Sequence, residues 1–175
     1  MTSANRLPRL TLVLGGARSG KSHYAEDLIQ GAAPPWVYIA TAEALDDEMR
    51  ERIAQHRDRR DGRWLTIDAP RDLAGAIAKA DGEGRPILID CLTLWLSNTL
   101  LADADVEKAC EDLTAVLAKA RGPIVAVSNE VGFGLVPETP LGRRFRDAQG
   151  RLNQRVAKVA DRVMLVAAGL PLTLK

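Results

Sequence analysis

Leu10-Thr11-Leu12-Val13-Leu14-Gly15-Gly16-Ala17-Arg18-Ser19-Gly20-Lys21-Ser22 is the most informative segment of this chain. Its first part is apolar or β-branched, which is typical of a buried strand. The remainder matches the pattern GxxxxGK[ST], in which the backbone N–H groups of a glycine-rich loop surround a phosphate at the start of a helix. The pattern predicts a nucleoside triphosphate site, with Lys21 on the β- and γ-phosphates and the Ser22 hydroxyl on Mg²⁺.

Beyond this segment, short apolar runs alternate with longer helical patterns. We predict strands at Leu10–Leu14, Trp36–Ala40, Trp64–Ile67, Pro86–Asp90, Ile124–Val127 and Val163–Ala167. We predict helices at Lys21–Gln30, Glu43–Arg60, Arg71–Ala80, Leu92–Leu101, Asp105–Ala120 and Arg143–Asp161. Such alternation favours βαβ units, so the predicted fold class is α/β with a mostly parallel sheet. Sheets of this kind bind ligands beyond the carboxyl ends of their strands.

Length, charge and cysteine content restrict the class of protein. The 175 residues suit one domain, and we predict a single nucleotide-binding domain over residues 1–175. The 24 basic and 23 acidic residues give a net charge of +1, so we expect no nucleic-acid partner. The apolar run Leu10–Leu14 is far shorter than the ~20 residues of a membrane span, and we expect none. Cys91 and Cys110 form no disulfide framework, which favours a reducing cytoplasm.

Acidic residues end or follow three of the predicted strands. Ile87-Leu88-Ile89-Asp90 resembles a Walker B strand, whose terminal carboxylate helps to hold Mg²⁺ directly or through water. The alternative for Asp90 is a helix N-cap. Glu130 is a candidate base or metal partner, and its alternative is a solvated loop residue. Asp68 presents a similar but weaker case.

The predicted helix Glu43–Arg60 contains one of the two histidines, His56. An apolar seam at helical spacing ends one turn before it, formed by Leu45, Met49 and Ile53. Three arginines occupy the neighbouring helix positions of His56, namely Arg52, Arg59 and Arg60. Nearby positive charge disfavours imidazolium, and a neutral imidazole among phosphate-binding guanidiniums suits attack on an α-phosphorus. The alternative is a charged, exposed helix with an incidental histidine.

These residues resemble the family of bifunctional adenosylcobinamide kinase / adenosylcobinamide-phosphate guanylyltransferases of cobalamin biosynthesis. The matching segments run in order over nearly the whole chain, at Gly15–Ser22, Tyr38–Ala42, Leu45–Met49, Arg52–Arg57, Ser128–Pro137 and Phe145–Gln154. The resemblance implies a P-loop NTPase-type three-layer sandwich whose mostly parallel sheet has an antiparallel edge, supplied here by Val163–Ala167 and Leu172–Leu174. It also implies a homotrimer.

The resemblance implies two reactions. The terminal phosphate of ATP or GTP passes to the aminopropanol hydroxyl of adenosylcobinamide. GTP then guanylylates an enzyme histidine with release of pyrophosphate, and the GMP passes to adenosylcobinamide phosphate, giving adenosylcobinamide-GDP. The guanylylated histidine corresponds to His56. Guanine nucleotide contacts are implied for Gly15–Ser22, for Ala40, Thr41 and Ala42, for Arg57, Asp58, Arg59 and Arg60, and for Asp68 and Asp90, where relatives often carry Glu.

Three other functions fit part of the pattern. A P-loop small-molecule kinase without guanylyltransferase activity is the closest alternative, and His56 discriminates it. A regulatory GTPase would carry Asn-Lys-x-Asp, which is absent from the sequence. A nucleic-acid motor is disfavoured by the neutral charge.

Two features of the implied site stay open at this point. The far end of the His56 helix lies about 20 Å from its start at ~1.5 Å per residue. His56 therefore reaches the α-phosphorus by helix movement or from a neighbouring subunit. Val131–Pro137, which contains two glycines, is a candidate mobile wall of the corrinoid site.

Overall fold

A computed structural model describes residues 7–44, 47–58 and 60–175 of the chain. Its strands are β1 Leu10–Gly15, β2 Trp36–Ala40, β3 Trp64–Asp68, β4 Ile87–Asp90, β5 Ile124–Asn129, β6 Arg162–Ala167 and β7 Leu170–Thr173. Its helices are α1 Lys21–Gln30, α2 Asp47–Asp58, α3 Leu73–Ala80, α4 Leu92–Leu101, α5 Val106–Lys119 and α6 Pro140–Val159. The predicted α/β alternation is confirmed.

The strands form a single sheet in the order β3-β2-β4-β5-β1-β6-β7. Every neighbouring pair is parallel except β6 and β7, so the antiparallel edge is confirmed. The last strand begins at Leu170 rather than at the predicted Leu172. The reason is a two-residue hairpin turn at Ala168 and Gly169, which both have positive φ, at 50° and 76°. Such turns match the right-handed twist of the flanking strands.

Apolar side chains cover both faces of the sheet, which makes the fold a three-layer sandwich. All six residues of β1 are buried. Leu12 points into a core cluster that contains residues of α3, α4, α5 and α6, whereas Val13 points into a second cluster with residues of α1. A strand buried on both faces has a continuous aliphatic sequence, which is why the sequence pattern predicted β1.

Helix α2 is shorter than predicted within the described residues. Glu43 and Arg60, the predicted ends, both lie outside the helix. Glu43 instead accepts a hydrogen bond from Arg71 Nε at 3.0 Å, and the Arg60 guanidinium stacks on the ring of Tyr38. These tertiary contacts override the helical pattern at both ends. Leu45 and Arg59 lie outside the described residues.

Helix α6 starts and ends at other residues than the predicted Arg143 and Asp161, because its caps fix both ends. The helix begins at Pro140, because the Thr139 hydroxyl accepts the N–H of Gly142 at 3.1 Å and proline is tolerated in a first turn. It ends at Val159, before Asp161. The Asp161 carboxylate instead accepts the backbone N–H of Leu10 at 3.0 Å and so anchors the start of β1.

The sheet determines where a ligand can bind. Strands β1, β2, β4 and β5 run parallel, so their carboxyl ends meet at one edge. The glycine-rich loop follows β1 at that edge. Across the described ranges, no helix combines the length and apolar character that crossing a membrane requires.

Candidate functional site

The predicted phosphate loop connects β1 to α1. Its backbone is sharply turned, with positive φ of 56° at Arg18 and 93° at Gly20. Gly15 has no room for a side chain, since a Cβ there would lie 2.7 Å from the carbonyl oxygen of Val166. Helix α1 begins at Lys21, so its N-terminal N–H groups point toward the loop. This is the geometry of an anion-binding loop.

A cavity of about 510 Å³ opens beside this loop. Its charged lining residues, as far as the chain is described, are the cations Arg18, Lys21 and Arg60 and the carboxylate of Asp90. Its polar and apolar lining comes from Ala17, Ser22, Tyr38, Ala40, Ala42, Met49, Ile53, Cys91, Thr93, Leu94 and Asn129. An excess of guanidinium and ammonium groups over carboxylates suits a polyphosphate. The structure thus brings Lys21, Ser22 and Asp90 together, as the sequence predicted.

A tyrosine and an arginine flank the Asp90 carboxylate. The Tyr38 hydroxyl donates a hydrogen bond to Asp90 Oδ2 at 2.9 Å. The Arg60 Cζ lies 3.6 Å from the centroid of the Tyr38 ring. Burial, together with the negative charge of Asp90, raises the pKa of Tyr38 above its usual range, so the hydroxyl remains a donor.

Thr41 is placed differently from the other predicted nucleotide contacts. Its side chain is fully buried, and its hydroxyl donates to the Cys91 carbonyl at 2.7 Å and accepts the Cys91 N–H at 2.8 Å. Asn98 Nδ2 donates to the Thr41 carbonyl at 2.8 Å. Thr41 therefore ties the end of β2 to the start of α4. Burial raises the pKa of the Cys91 thiol to about 11, so that thiol stays protonated near neutral pH.

A second cavity, of about 730 Å³, adjoins the first. The two share Ala40, Ala42 and Ile53 as lining residues. Asp58 and Asp68 border only the second cavity. The predicted nucleotide contacts therefore divide between a phosphate-loop cavity and a neighbouring cavity next to β2 and β3.

Helix α2 forms part of the wall between these cavities. Met49 and Ile53, two members of the predicted apolar seam, line the phosphate-loop cavity. His56 lies in the last turn of the same helix, three residues after Ile53, and Arg57 follows it. The helix position predicted for Arg60, four residues after His56, is wrong, because α2 ends at Asp58 and Arg60 stacks on Tyr38.

Glu130 lies beside the phosphate loop but outside both cavities. Its backbone N–H donates to the Gly15 carbonyl at 3.0 Å. Its carboxylate accepts the N–H of Gly132 at 3.0 Å, as in a local turn. The structure therefore places this carboxylate in the turn that starts the next loop.

Sequence reasoning missed Tyr38 and, at the end of β5, Asn129. Asn129 is paired in register with Gly15, and its N–H is accepted by the Thr93 hydroxyl at 2.8 Å. The order of the strands puts β5 between β1 and β4, and no local pattern encodes that order. A search of every parallel strand end for polar side chains could have found Asn129.

Comparison with known proteins identifies the family of this chain. The family model described as "Cobinamide kinase / cobinamide phosphate guanyltransferase" matches residues 11–174. A protein of Pseudomonas aeruginosa named bifunctional adenosylcobalamin biosynthesis protein CobP is 47% identical over 168 residues, which cover 94% of this chain and 96% of that protein. The Salmonella typhimurium protein named bifunctional adenosylcobalamin biosynthesis protein CobU is 42% identical and covers 95% and 99%.

Solved structures share the fold at low sequence identity. A protein of Pyrococcus horikoshii superposes with a TM-score of 0.53 and 12% identity over 98% of this chain and 88% of that one. The flagellar accessory protein FlaH of Methanocaldococcus jannaschii superposes with a TM-score of 0.53 and 14% identity over 97% of this chain and 80% of that one.

The family resemblance inferred from the sequence motifs is confirmed by the family model and the relatives. The chain belongs to the cobinamide kinase / cobinamide phosphate guanyltransferase family.

Proposed function

We propose that this chain phosphorylates adenosylcobinamide with ATP or GTP and then transfers GMP from GTP, through His56, to adenosylcobinamide phosphate. The products of the second reaction are adenosylcobinamide-GDP and pyrophosphate. The observation that carries the proposal is the family match over residues 11–174, on a chain whose phosphate loop opens into a cationic cavity. The chain is accordingly a kinase and a nucleotidyltransferase of cobalamin biosynthesis.

The kinase step needs positioning and neutralisation of charge rather than covalent catalysis. The acceptor hydroxyl oxygen forms a bond to the γ-phosphorus, the bond to the β-γ bridging oxygen breaks, and the hydroxyl proton is released. Lys21 and the N–H groups of Gly15–Ser22 hold the phosphates. Ser22 and Asp90 line the same cavity and have the oxygen donors that Mg²⁺ prefers. When bound there, Mg²⁺ supplies positive charge against the phosphate oxygens.

The second reaction proceeds in two displacements. A neutral His56 ring nitrogen forms a bond to the α-phosphorus while the bond to pyrophosphate breaks, which gives a phosphoramidate. A phosphate oxygen of adenosylcobinamide phosphate then attacks the same phosphorus, and the P–N bond breaks. The guanine nucleotide contacts belong to the lining of the two adjoining cavities, including Ala40, Ala42, Asp58 and Asp68.

The corrinoid contacts belong to residues 131–137, which follow β5. This segment leaves the sheet next to Gly15, whose carbonyl accepts a hydrogen bond from the Glu130 N–H. Phe133 and Leu135 are 83% and 97% exposed. Exposed apolar side chains of this size next to a phosphoryl donor suit a large, partly apolar acceptor. The proposal also includes a homotrimer and a cytoplasmic location, where the free thiols of Cys91 and Cys110 stay reduced.

Labelling with GTP that carries ³²P at the α-phosphate tests the guanylyltransferase step. We expect wild type to retain an acid-labile, base-stable label in the presence of Mg²⁺, and we expect His56→Ala to retain none. His23→Ala is the matched control, because His23 is exposed on α1, where it pairs with Asp27 at 3.7 Å, and it should label like wild type. Equal labelling of wild type and His56→Ala contradicts the role of His56. Kinase activity without any label would favour the kinase-only alternative.

A further inference from the structure

One side chain, Tyr38, contacts both the carboxylate and one of the cations that line the phosphate-loop cavity. Its hydroxyl donates to Asp90 Oδ2 at 2.9 Å, and its ring lies 3.6 Å from the Arg60 Cζ. Tyr38 is only 4% exposed, yet it belongs to the cavity lining. It therefore contacts two charged groups of opposite sign in the same cavity.

We propose that Tyr38 is a positioning residue of the nucleotide site, whose hydroxyl orients Asp90 toward Mg²⁺ and whose ring holds Arg60 for a nucleotide phosphate. The inference rests on the proposed function, since it assigns roles within the same site. Tyr38 touches no reacting atom in this scheme. It acts through Asp90 and Arg60.

The hydroxyl fixes one oxygen of the carboxylate. An aspartate side chain at a strand end can rotate, and a hydrogen bond to Oδ2 selects one orientation and leaves Oδ1 as a donor atom for a metal ion or its water. Bonds between a neutral donor and a carboxylate are among the stronger ones in proteins.

The Tyr38 ring holds a guanidinium that has two unsatisfied hydrogen-bond donors. Arg60 Nε and Nη1 are buried and have no hydrogen-bond partner in the described part of the chain. Buried donors without a partner are costly, and a phosphate oxygen would satisfy them. Stacking on the ring face leaves the in-plane N–H groups of the guanidinium available for such an acceptor.

The ring is itself held in place by aromatic neighbours. Trp64 meets Tyr38 edge to face at 6.0 Å and 82°. Trp36 packs against Trp64 at 5.1 Å. Because β2 and β3 carry these rings side by side, the platform under Arg60 belongs to the sheet and not to a loop. A positioning residue on a rigid element places its partners more accurately than one on a loop.

Two substitutions separate the two functions of the side chain. Tyr38→Phe removes the hydroxyl and keeps the ring, and Tyr38→Leu removes both. Binding of a fluorescent N-methylanthraniloyl GTP is measured as a function of Mg²⁺ concentration. Its affinity is measured separately in EDTA. We expect Tyr38→Phe to raise the half-saturating Mg²⁺ concentration about tenfold while its affinity in EDTA stays within about twofold of wild type. We expect Tyr38→Leu also to lose about tenfold in EDTA.

Tyr24→Phe is the matched control, because Tyr24 is the other of the two tyrosines in the chain, lies on α1 and is absent from the lining of the cavity. It should leave both titrations unchanged. In an Asp90→Asn background, Tyr38→Phe should cause little further shift in the Mg²⁺ titration, because its effect passes through that carboxylate. This coupling would not arise from a general loss of packing, and it can be measured even if Tyr38→Leu fails to fold.

An unshifted Mg²⁺ midpoint in Tyr38→Phe overturns the inference and leaves the proposed function intact. An equal shift in Asp90→Asn and wild-type backgrounds also overturns it. This experiment measures nucleotide binding. A wild-type protein that binds the fluorescent GTP but retains no label on His56 would therefore contradict only the proposed function. Failure of wild type to bind the fluorescent GTP would overturn both.

Discussion

The ammonium group of Lys21 is directed at the phosphate loop from the first position of α1. The side chain is buried, and its Nζ donates to the Gly16 carbonyl at 3.1 Å. A carbonyl is a weaker partner for an ammonium group than a phosphate oxygen, because only the latter gives a bond assisted by opposite charges. The bond to Gly16 therefore keeps the ammonium group at the loop until a phosphate replaces that acceptor.

Substitution of Lys21 should remove most of the kinase activity. We expect Lys21→Ala to lower phosphorylation of adenosylcobinamide by about 10²–10³-fold, the usual loss when one electrostatic donor to a transition state is removed. Transfer of ³²P from the γ-position of ATP measures it. Lys119→Ala is the control, since Lys119 is exposed in the last turn of α5 and should have no effect. Unchanged turnover in Lys21→Ala would contradict the assignment of the loop.

Among the elements, β2 and β4 form the part of the edge that holds Asp90. Their carboxyl ends are joined by the Thr41 hydroxyl, which satisfies both the N–H and the carbonyl of Cys91. Asn98 of α4 adds a bond from its Nδ2 to the Thr41 carbonyl at 2.8 Å. This buried polar network fixes the direction in which the chain leaves Asp90, and hence the position of the carboxylate beside the phosphate loop.

Thr41→Val should destabilise the protein at this junction. It removes the hydroxyl and leaves the buried Cys91 N–H without its partner, at about 1–3 kcal/mol, whereas the Cys91 carbonyl still accepts the Trp95 N–H at 3.3 Å. Urea denaturation at fixed protein concentration measures the free energy of unfolding. Thr66→Val is the control, because Thr66 is exposed on the adjacent strand β3 and should change stability by less than about 0.5 kcal/mol. Thr41→Ser should recover most of the loss, and a Thr41→Val protein as stable as wild type would contradict the role of the hydroxyl.

Features set by local pattern could be predicted, whereas those set by contacts between elements could not. The glycine spacing defined the phosphate loop, and the aliphatic run of β1 defined its strand. Arg60 matched a helical position relative to His56, yet the ring of Tyr38 on β2 draws it out of the helix. Tyr38 itself reads as an ordinary strand residue, because its hydroxyl partner Asp90 is 52 positions away in the sequence. Asn129 was missed because its place in the cavity lining depends on the strand order.

For the whole molecule, the position of α2 favours delivery of His56 to the nucleotide within the same chain. Helix α2 supplies Met49 and Ile53 to the cavity beside the phosphate loop of the same chain. A helix that already covers its own cavity needs a local adjustment to deliver a residue from its last turn. Delivery from a second subunit would require the proposed trimer to bring a second copy of α2 to a cavity that one copy already borders.

We therefore expect guanylylation within one chain rather than between subunits. Lys21→Ala subunits retain His56 but bind triphosphate poorly, and His56→Ala subunits retain the phosphate loop but lack the nucleophile. If the transfer stays within a chain, mixing and re-equilibrating the two variants should restore none of the label from α-³²P GTP. Wild type mixed with His56→Ala is the control, and its label should scale with the wild-type fraction. A label that reappears when the two variants are mixed would instead show that His56 serves the phosphate loop of a neighbouring subunit.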